Sequence, residues 1–142
     1  MSQTYPEIYL KRVYDPAERG DGYRVLADRL WPRGIKKSDL HHDVWLREIC
    51  PPSTLRKAWH NDRIDSRTFQ TRYLEALAES DKARAALQDL LNHEVITLLT
   101  AAKNPQKGHL AVLRQVLIQQ ARGQKITLSS SICYLNPDDG SH

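Results

Sequence analysis

The sequence has few cysteines, no long apolar run and no surplus of acidic residues. Its two cysteines, Cys50 and Cys133, lie far apart and have no partner at the spacing of a metal site or a redox motif, which argues against the disulfide framework of a small secreted domain. No apolar stretch approaches the length of a membrane span, and residues 1–15 lack the apolar core of a signal peptide. We therefore expect a cytoplasmic protein without a membrane partner.

The motifs of several enzyme classes are also missing. The sequence contains no G-x-x-x-x-G-K-[ST] phosphate loop, no G-x-G-x-x-G, no H-E-x-x-H and no G-x-S-x-G. His41 and His42 are adjacent, and adjacent residues of a helix point apart instead of sharing a metal ion. We therefore expect neither a metal nor a cofactor. Cys50 stays open as a nucleophile because no motif decides its role.

Positive charge is concentrated in one short segment. Lysine and arginine total 21 against 17 acidic residues, and this net charge of +4 is too small for a protein that coats nucleic acid. The segment "DRLWPRGIKKS" at residues 28–38, however, holds two arginines, two lysines and a tryptophan with a single aspartate. It lies where an apolar run that begins at Val25 comes to its end. The composition therefore indicates a local binding site for an anion.

The hydrophobic pattern predicts one α/β domain over residues 1–124. Strand-like patterns occur in "EIYLKRV", "YRVLADRL" and "EVITLLTAA", and the third is apolar on both faces, as in a central strand covered by helices on each side. Helical periodicity begins at five places: after Ser38 or Asp39, after Ser53, after Ser66, after Ser80 or Asp81, and near Leu110. This succession predicts a mixed or mostly parallel sheet flanked by helices. For residues 125–142 we expect a C-terminal extension, an edge strand or extended arm followed by a disordered tail.

The loops after two of the predicted strands share basic character. In parallel sheets, ligands bind at the carboxyl ends of the strands, where loops and helix N-termini meet. The basic segment after Leu30 and the loop "AKNPQKGH" after Thr100 both follow strands, so we expect them on the same rim of the sheet. A helix that begins near Gly108 would add amide donors and a partial positive charge. The residues predicted to share an anion-binding crevice are Arg29, Arg33, Lys103 and His109.

Further residues are assigned to the same crevice. Trp31 offers a flat surface for a base or a sugar, as a lid or a stacking surface. Asp28 lies in an apolar strand and needs a partner, for which we predict Arg12, so that Arg12, Tyr14 and Asp28 form a supporting shell. His109 is the proton shuttle expected near neutral pH, which makes His109 and Asp28 the catalytic candidates.

Plainer interpretations stay open for these residues. The alternative to anion binding is that Arg29 and Arg33 pair with Asp28 and Asp39 at a solvated surface. The pair of Asp28 with Arg12 is either structural or part of a site.

Four residues near the middle of the chain are interpreted as structural. We expect Trp59 to pack in the core and His60 to end a helix, while Arg56 and Lys57 form a solvated face unless their short helix leans over the basic segment.

Five segments occur together in order: "KRVYD" at 11–15, "DGYRVLADRLWPRGIKK" at 21–37, "WL" at 45–46, "PPSTLRKAWH" at 51–60 and "LLTAAKN" at 98–104. They resemble the YeaO-like family, within the group called domain of unknown function 488. Longer members of that group are similar in two patterns. The first is "DVR" followed by proline and arginine after one strand, and the second is a cysteine-acid pair and "CHR" around a later strand. The matching positions here are Asp28, Arg29, Pro32, Arg33 and, for the second pattern, His109.

The sequence departs from the second pattern of the longer members. Thr100 stands where they have cysteine, Lys103 stands near the acidic position, Gly108 replaces the second cysteine and Leu110 replaces arginine. The resemblance therefore implies a positively charged rim but no thiol chemistry.

Two classes of function follow from the predicted crevice. In the first, it holds a phosphorylated or nucleotide-like substrate of a metal-independent hydrolase or transferase, whose arginines stabilise developing negative charge. In the second, the chain is a non-catalytic module that senses such a ligand or contacts nucleic acid. Contact with nucleic acid is not favoured, because no predicted helix has a clearly basic recognition surface. A third interpretation makes the rim an oligomer interface. Whether the chain is an enzyme stays open.

Overall fold

Within residues 6–123, which the computed structural model describes, parallel strands form one sheet. The strands are β1 (Glu7–Arg12), β2 (Tyr23–Leu26), β3 (Val44–Trp45) and β4 (Val95–Thr100), in the spatial order β1-β4-β2-β3. The helices are α1 (Ser53–His60), α2 (Ser66–Glu79), α3 (Asp81–Leu90) and α4 (His109–Ala121). The predicted α/β fold with a mostly parallel sheet is thus confirmed. The extension expected at residues 125–142 lies outside the described residues.

Side-chain caps fix the starts of two helices. The carboxylate of Asp65 accepts a hydrogen bond from the Thr68 amide at 2.7 Å and caps α2, and the Ser80 hydroxyl accepts one from the Ala83 amide at 3.1 Å and caps α3. None of the helices in the described part of the chain is long and apolar enough to cross a membrane.

Within residues 6–123, helices cover one face of the sheet and not the other. Val25, Ile96 and Leu98 pack against buried side chains of the helices, among them Phe69 and Leu113. The prediction that helices cover β4 on both sides is therefore wrong. A loop, residues 27–43, covers the second face. Its proline, glycine and charged residues disfavour a helix, but it still supplies apolar side chains to the sheet. That second cluster contains Val13, Leu26, Leu40 and Leu99, with Trp31, Ile35 and Trp45 packed against it.

The helix predicted after Ser38 or Asp39 is also wrong. The Asp43 amide donates to the Arg24 carbonyl at 2.8 Å and the Leu46 amide donates to the Leu26 carbonyl at 3.0 Å, so the chain between them is the edge strand β3. Only Arg47–Ile49 is helical, as a single 3₁₀ turn. A β-branched and an aromatic residue suit a sheet edge, and this packing overrides the helical spacing.

A polar network lies on the part of the second face next to Thr97. The Asp21 carboxylate contacts the guanidinium of Arg24 and the ammonium of Lys11. The Lys11 Nζ lies 3.2 Å from each of the two carboxylate oxygens. The Thr97 hydroxyl donates to the Asp21 carbonyl at 2.7 Å. Lys11 also pairs with Glu18 at 3.0 Å, so two cations face two carboxylates and together add little to the field around the molecule.

The position of β4 decides which loops meet. Leu99 of β4 pairs with Leu26 of β2, and the Ala27 amide donates to the Leu99 carbonyl at 3.0 Å. The loops after β2 and β4 therefore start side by side at the carboxyl edge. The same arrangement separates β1 from β2 by a full strand.

We expect Gly22→Ala to destabilise the fold by about 3 kcal/mol, because left-handed backbone and overpacking each cost about 1–3 kcal/mol. Gly22 has φ +64°, and a Cβ there would lie 2.4 Å from the Val95 carbonyl oxygen. The matched control is Gly20→Ala, where a Cβ meets no atom within 4 Å. Urea unfolding should show a change of at most about 0.5 kcal/mol for the control. Equal stabilities for the two variants would contradict this account of Gly22.

Candidate functional site

A cavity of about 380 Å³ lies at the carboxyl edge of the sheet. Its walls are the loop after β2, the segment that leads into α1, the helices α1 and α2, and the start of α4. Residues that are distant in sequence, such as Arg33 and His109, line this one hollow. The predicted convergence of the two strand-end loops is therefore present in the structure.

The lining of the cavity is rich in positive charge. Arg29, Arg33 and Arg56 line it together with two histidines, whereas Asp28 is the one acidic residue among the lining side chains. Apolar and aromatic side chains, among them Trp59 and Phe69, also line it. The cavity therefore combines cations with a surface suited to a flat apolar group.

Arg29 is held in place by backbone carbonyl groups. Its Nε donates to the Pro51 carbonyl at 2.6 Å, and its terminal nitrogen donates to the Cys50 carbonyl at 3.4 Å. These bonds tie the loop after β2 to the segment before α1. A guanidinium has five N–H donors, so three donors remain to face a ligand. Arg29 is thus both a strut of the wall and a potential anion contact.

Arg33 and Arg56 have more freedom. Arg33 is exposed, and its backbone carbonyl accepts a hydrogen bond from the Tyr14 hydroxyl at 3.2 Å. Arg56 is half-buried on α1. Within residues 6–123 neither these two arginines nor Arg29 forms an ion pair. The alternative in which Arg29 and Arg33 pair with aspartates is therefore wrong for the described structure.

Asp28 is fixed by the end of β4. One carboxylate oxygen accepts from the Thr100 hydroxyl at 2.8 Å, and the other accepts from the Ala101 amide at 2.8 Å. The prediction that Arg12 is its partner is wrong, because β4 lies between β1, which carries Arg12, and β2, which Asp28 follows. Arg12 instead donates to the Ala102 carbonyl at 3.1 Å, and its guanidinium lies 4.8 Å from the centre of the Tyr14 ring.

His109 joins the same hydrogen-bonded group. Its Nε2 lies 2.5 Å from the Ala27 carbonyl, to which it must donate, and 3.7 Å from the nearer carboxylate oxygen of Asp28. Burial, the largest influence, lowers the pKa of His109 below its ordinary value, and the bond to Ala27 and the charge of Asp28 offset this only in part. The neutral ring therefore keeps its proton on Nε2 and the lone pair on Nδ1.

Two predicted residues are placed differently from the prediction. Lys103 is exposed on the loop after β4 and is not among the residues that line the cavity. Trp31 lines the cavity, but its Nε1 donates to the Ile35 carbonyl at 2.6 Å and its ring contacts Trp45 edge-on at 5.4 Å. Because both its ring and its nitrogen are engaged, Trp31 is a fixed part of the wall and not a lid.

Helix α1 contributes more residues to the cavity than the sequence predicts. Arg56, Trp59 and His60 all line the cavity, and the Trp59 ring stacks on Phe69 with centroids 4.0 Å apart and an angle of 18°. The short helix therefore leans over the basic segment. This is the alternative that was left open to Arg56 forming a solvated face. The spacing of the three residues in "RKAWH" places them on one side of a helix, and this was the available signal.

Cys50 lacks the character of a nucleophile. Its side chain is buried, its Sγ donates to the Leu46 carbonyl at 3.4 Å, and burial raises the pKa of the thiol far above its ordinary value. Within the described residues no group of three or more His, Cys, Asp or Glu side chains could hold a metal ion.

We expect the stability difference between the wild type and His109→Gln to depend on pH. The folded-state pKa of His109 is lowered, so its stabilising contribution is present above the unfolded value of about 6.5 and is lost as pH falls through the folded value. Glutamine can keep a donor to Ala27 without titrating. Urea unfolding near neutral pH and in mild acid should therefore show the advantage of the wild type shrinking in acid. A constant difference, or an NMR titration of His109 at or above the ordinary pKa, would contradict the assignment.

Comparison with known proteins gives consistent matches. A family model described as "Inactive DUF488-N3 subclade" matches residues 7–135. "Uncharacterized protein YeaO" of Escherichia coli K12 is 51% identical over 106 residues, which cover 75% of this chain and 92% of that protein. "Uncharacterized protein Rv3073c" of Mycobacterium tuberculosis H37Rv is 38% identical over 112 residues, which cover 78% and 92%. No solved structure matches significantly.

Proposed function

We propose that this chain, which belongs to the YeaO-like group of the DUF488 family, binds a phosphorylated or nucleotide-like anion at the carboxyl edge of its sheet without converting it. The observation that carries this proposal is the set of three arginines around one cavity. Arg29, Arg33 and Arg56 line it and form no ion pair within the described residues. A cluster of unpaired guanidinium groups in a concave site attracts an anion.

The chemistry of the lining supports a phosphate or carboxylate joined to a flat group. Guanidinium groups donate pairs of parallel hydrogen bonds to such anions, and the rigid placement of Arg29 reduces the entropy lost on binding. Trp59, stacked on Phe69, gives a flat wall on which an aromatic ring can pack. A nucleotide-like ligand carries both features.

Binding without catalysis is supported by how the reactive groups are engaged. Both carboxylate oxygens of Asp28 already accept hydrogen bonds, and Nε2 of His109 donates to a backbone carbonyl. The Cys50 thiol is buried and protonated. The matched family model describes its subclade as inactive. These observations favour the non-catalytic module over the metal-independent hydrolase or transferase.

Arg33→Ala tests the site. Its side chain lines the cavity but is exposed and forms no ion pair within the described residues, so the variant should fold normally. A charged hydrogen bond contributes about 1.5–3 kcal/mol, and we therefore expect the Kd of a bound nucleoside monophosphate to rise about 10- to 100-fold. Thermal-shift screening of inorganic phosphate, sugar phosphates and nucleoside monophosphates would identify the ligand, and calorimetric titration would give the Kd.

Lys103→Ala is the matched control. It removes one positive charge from the same rim but from outside the cavity, so the Kd should stay within about twofold. Equal weakening in both variants, or no stabilisation by any anion of the screen, would refute the binding site. Chromatography of the ligand after incubation with the wild type checks the second half of the proposal, because any turnover that Arg33→Ala abolishes would make the chain an enzyme.

A further inference from the structure

We infer that the ligand in the cavity is one nucleotide of a single-stranded nucleic acid, whose phosphate backbone continues along the basic ridge formed by Arg33, Lys36 and Lys37. This inference rests on the proposed function and names the partner of the same site. Beyond Arg33 it concerns Lys36 and Lys37, which do not line the cavity and which the binding of a single nucleotide does not require.

The first observation is that the exposed cations of the ridge are unpaired, whereas three cations elsewhere in the described residues are paired. Lys11 and Arg24 contact Asp21, and Arg84 contacts Asp81. The three members of the basic ridge, in contrast, are exposed and form no ion pair within residues 6–123. No acidic residue lies between Asp28 and Asp39 in the sequence. The uncompensated positive charge of this region is thus concentrated on the ridge.

The second observation is that the ridge is continuous with the cavity. Arg33 belongs to both, and Trp31 also lines the cavity. The Lys37 ammonium lies 6.0 Å from the centre of the Trp31 ring, so it is close to the cavity wall. A strand that leaves the cavity past Arg33 can therefore place its next phosphates near Lys36 and Lys37.

The third observation is that the ridge is anchored. The Tyr14 hydroxyl donates to the Arg33 carbonyl at 3.2 Å, and Trp31 Nε1 donates to the Ile35 carbonyl at 2.6 Å. Leu40 is buried against the sheet just beyond the ridge. Cations on an anchored loop lose less entropy when they bind a phosphate backbone than cations on a free loop do.

The chemistry favours a single strand over other polyanions. A base can stack on an aromatic wall only when it is free of its own stack, as in a single strand, and such stacking is tolerant of sequence. An acidic peptide offers carboxylates at irregular spacing and no flat ring next to each of them. A cationic track beside an aromatic pocket is the usual arrangement for single-stranded nucleic acid.

The experiment compares thymidine 5′-monophosphate with a short oligothymidylate on the wild type and on Lys36→Ala/Lys37→Ala. We expect the oligonucleotide to bind at least about tenfold more tightly than the mononucleotide to the wild type and to lose this gain in the double variant. Each lost phosphate contact should make the slope of log K against log salt less negative by about 0.7. The mononucleotide should bind both proteins alike and should displace the oligonucleotide.

Arg72→Ala/Lys82→Ala is the charge-matched control, because both residues are exposed, on α2 and α3, and neither lines the cavity or belongs to the ridge. It should bind the oligonucleotide like the wild type.

Equal affinity of the wild type for the two ligands, or an equal loss of oligonucleotide binding in both double variants, would overturn the inference. Binding of the mononucleotide would still support the proposed function of the cavity. Tighter binding of a duplex than of the single strand would overturn it as well. Absence of binding by either thymidine ligand, with inorganic phosphate or a sugar phosphate still bound, would overturn only the inference. The proposed function fails when no anion binds or when Arg33→Ala and Lys103→Ala weaken anion binding equally.

Discussion

The carboxylate of Asp28 is the link on which the arrangement of the site depends. It joins the loop after β2 to the end of β4 through the Thr100 hydroxyl and the Ala101 amide. An aspartate in this position would be costly without such donors, since a buried charge needs partners. The backbone of the same residue also accepts a hydrogen bond from Trp45, which brings β3 into the group. One residue therefore sets the relative positions of three neighbouring strand ends.

This fixed frame explains why the charged groups around it differ in role. Asp28 and His109, which line the cavity, are engaged in hydrogen bonds with Thr100 and Ala27. Arg29 uses two of its donors on backbone carbonyls of the wall, whereas Arg33 and Arg56 form no ion pair within the described residues. Cations that are already in position around a cavity would require little rearrangement to bind an anion.

Much of the site could be predicted from local sequence, because strand-end loops of a parallel sheet converge. Arg29, Arg33 and His109 were found in this way. The Arg12 and Asp28 pair was wrong because neighbours in sequence order are not neighbours in the sheet when a third strand inserts between them. Trp59 was interpreted as a core residue because an aromatic residue in a cavity wall has the same helical spacing as one in a core; it packs against the core and also lines the cavity. The prediction of a helix that contains Val44 and Trp45 was wrong for a related reason, since their pairing in the sheet overrode a weak helical pattern.

The sequence by itself determined the α/β class, the family and the concentration of positive charge between Arg29 and Lys37. Each of these follows from local composition, periodicity or a contiguous motif, which a linear chain contains in full. Only the tertiary structure decided that β4 lies between β1 and β2, that a loop covers the second face, and that α1 completes the cavity. These features depend on which distant segments pack together, and that choice minimises the exposed apolar surface and the unpaired polar groups of the whole chain at once.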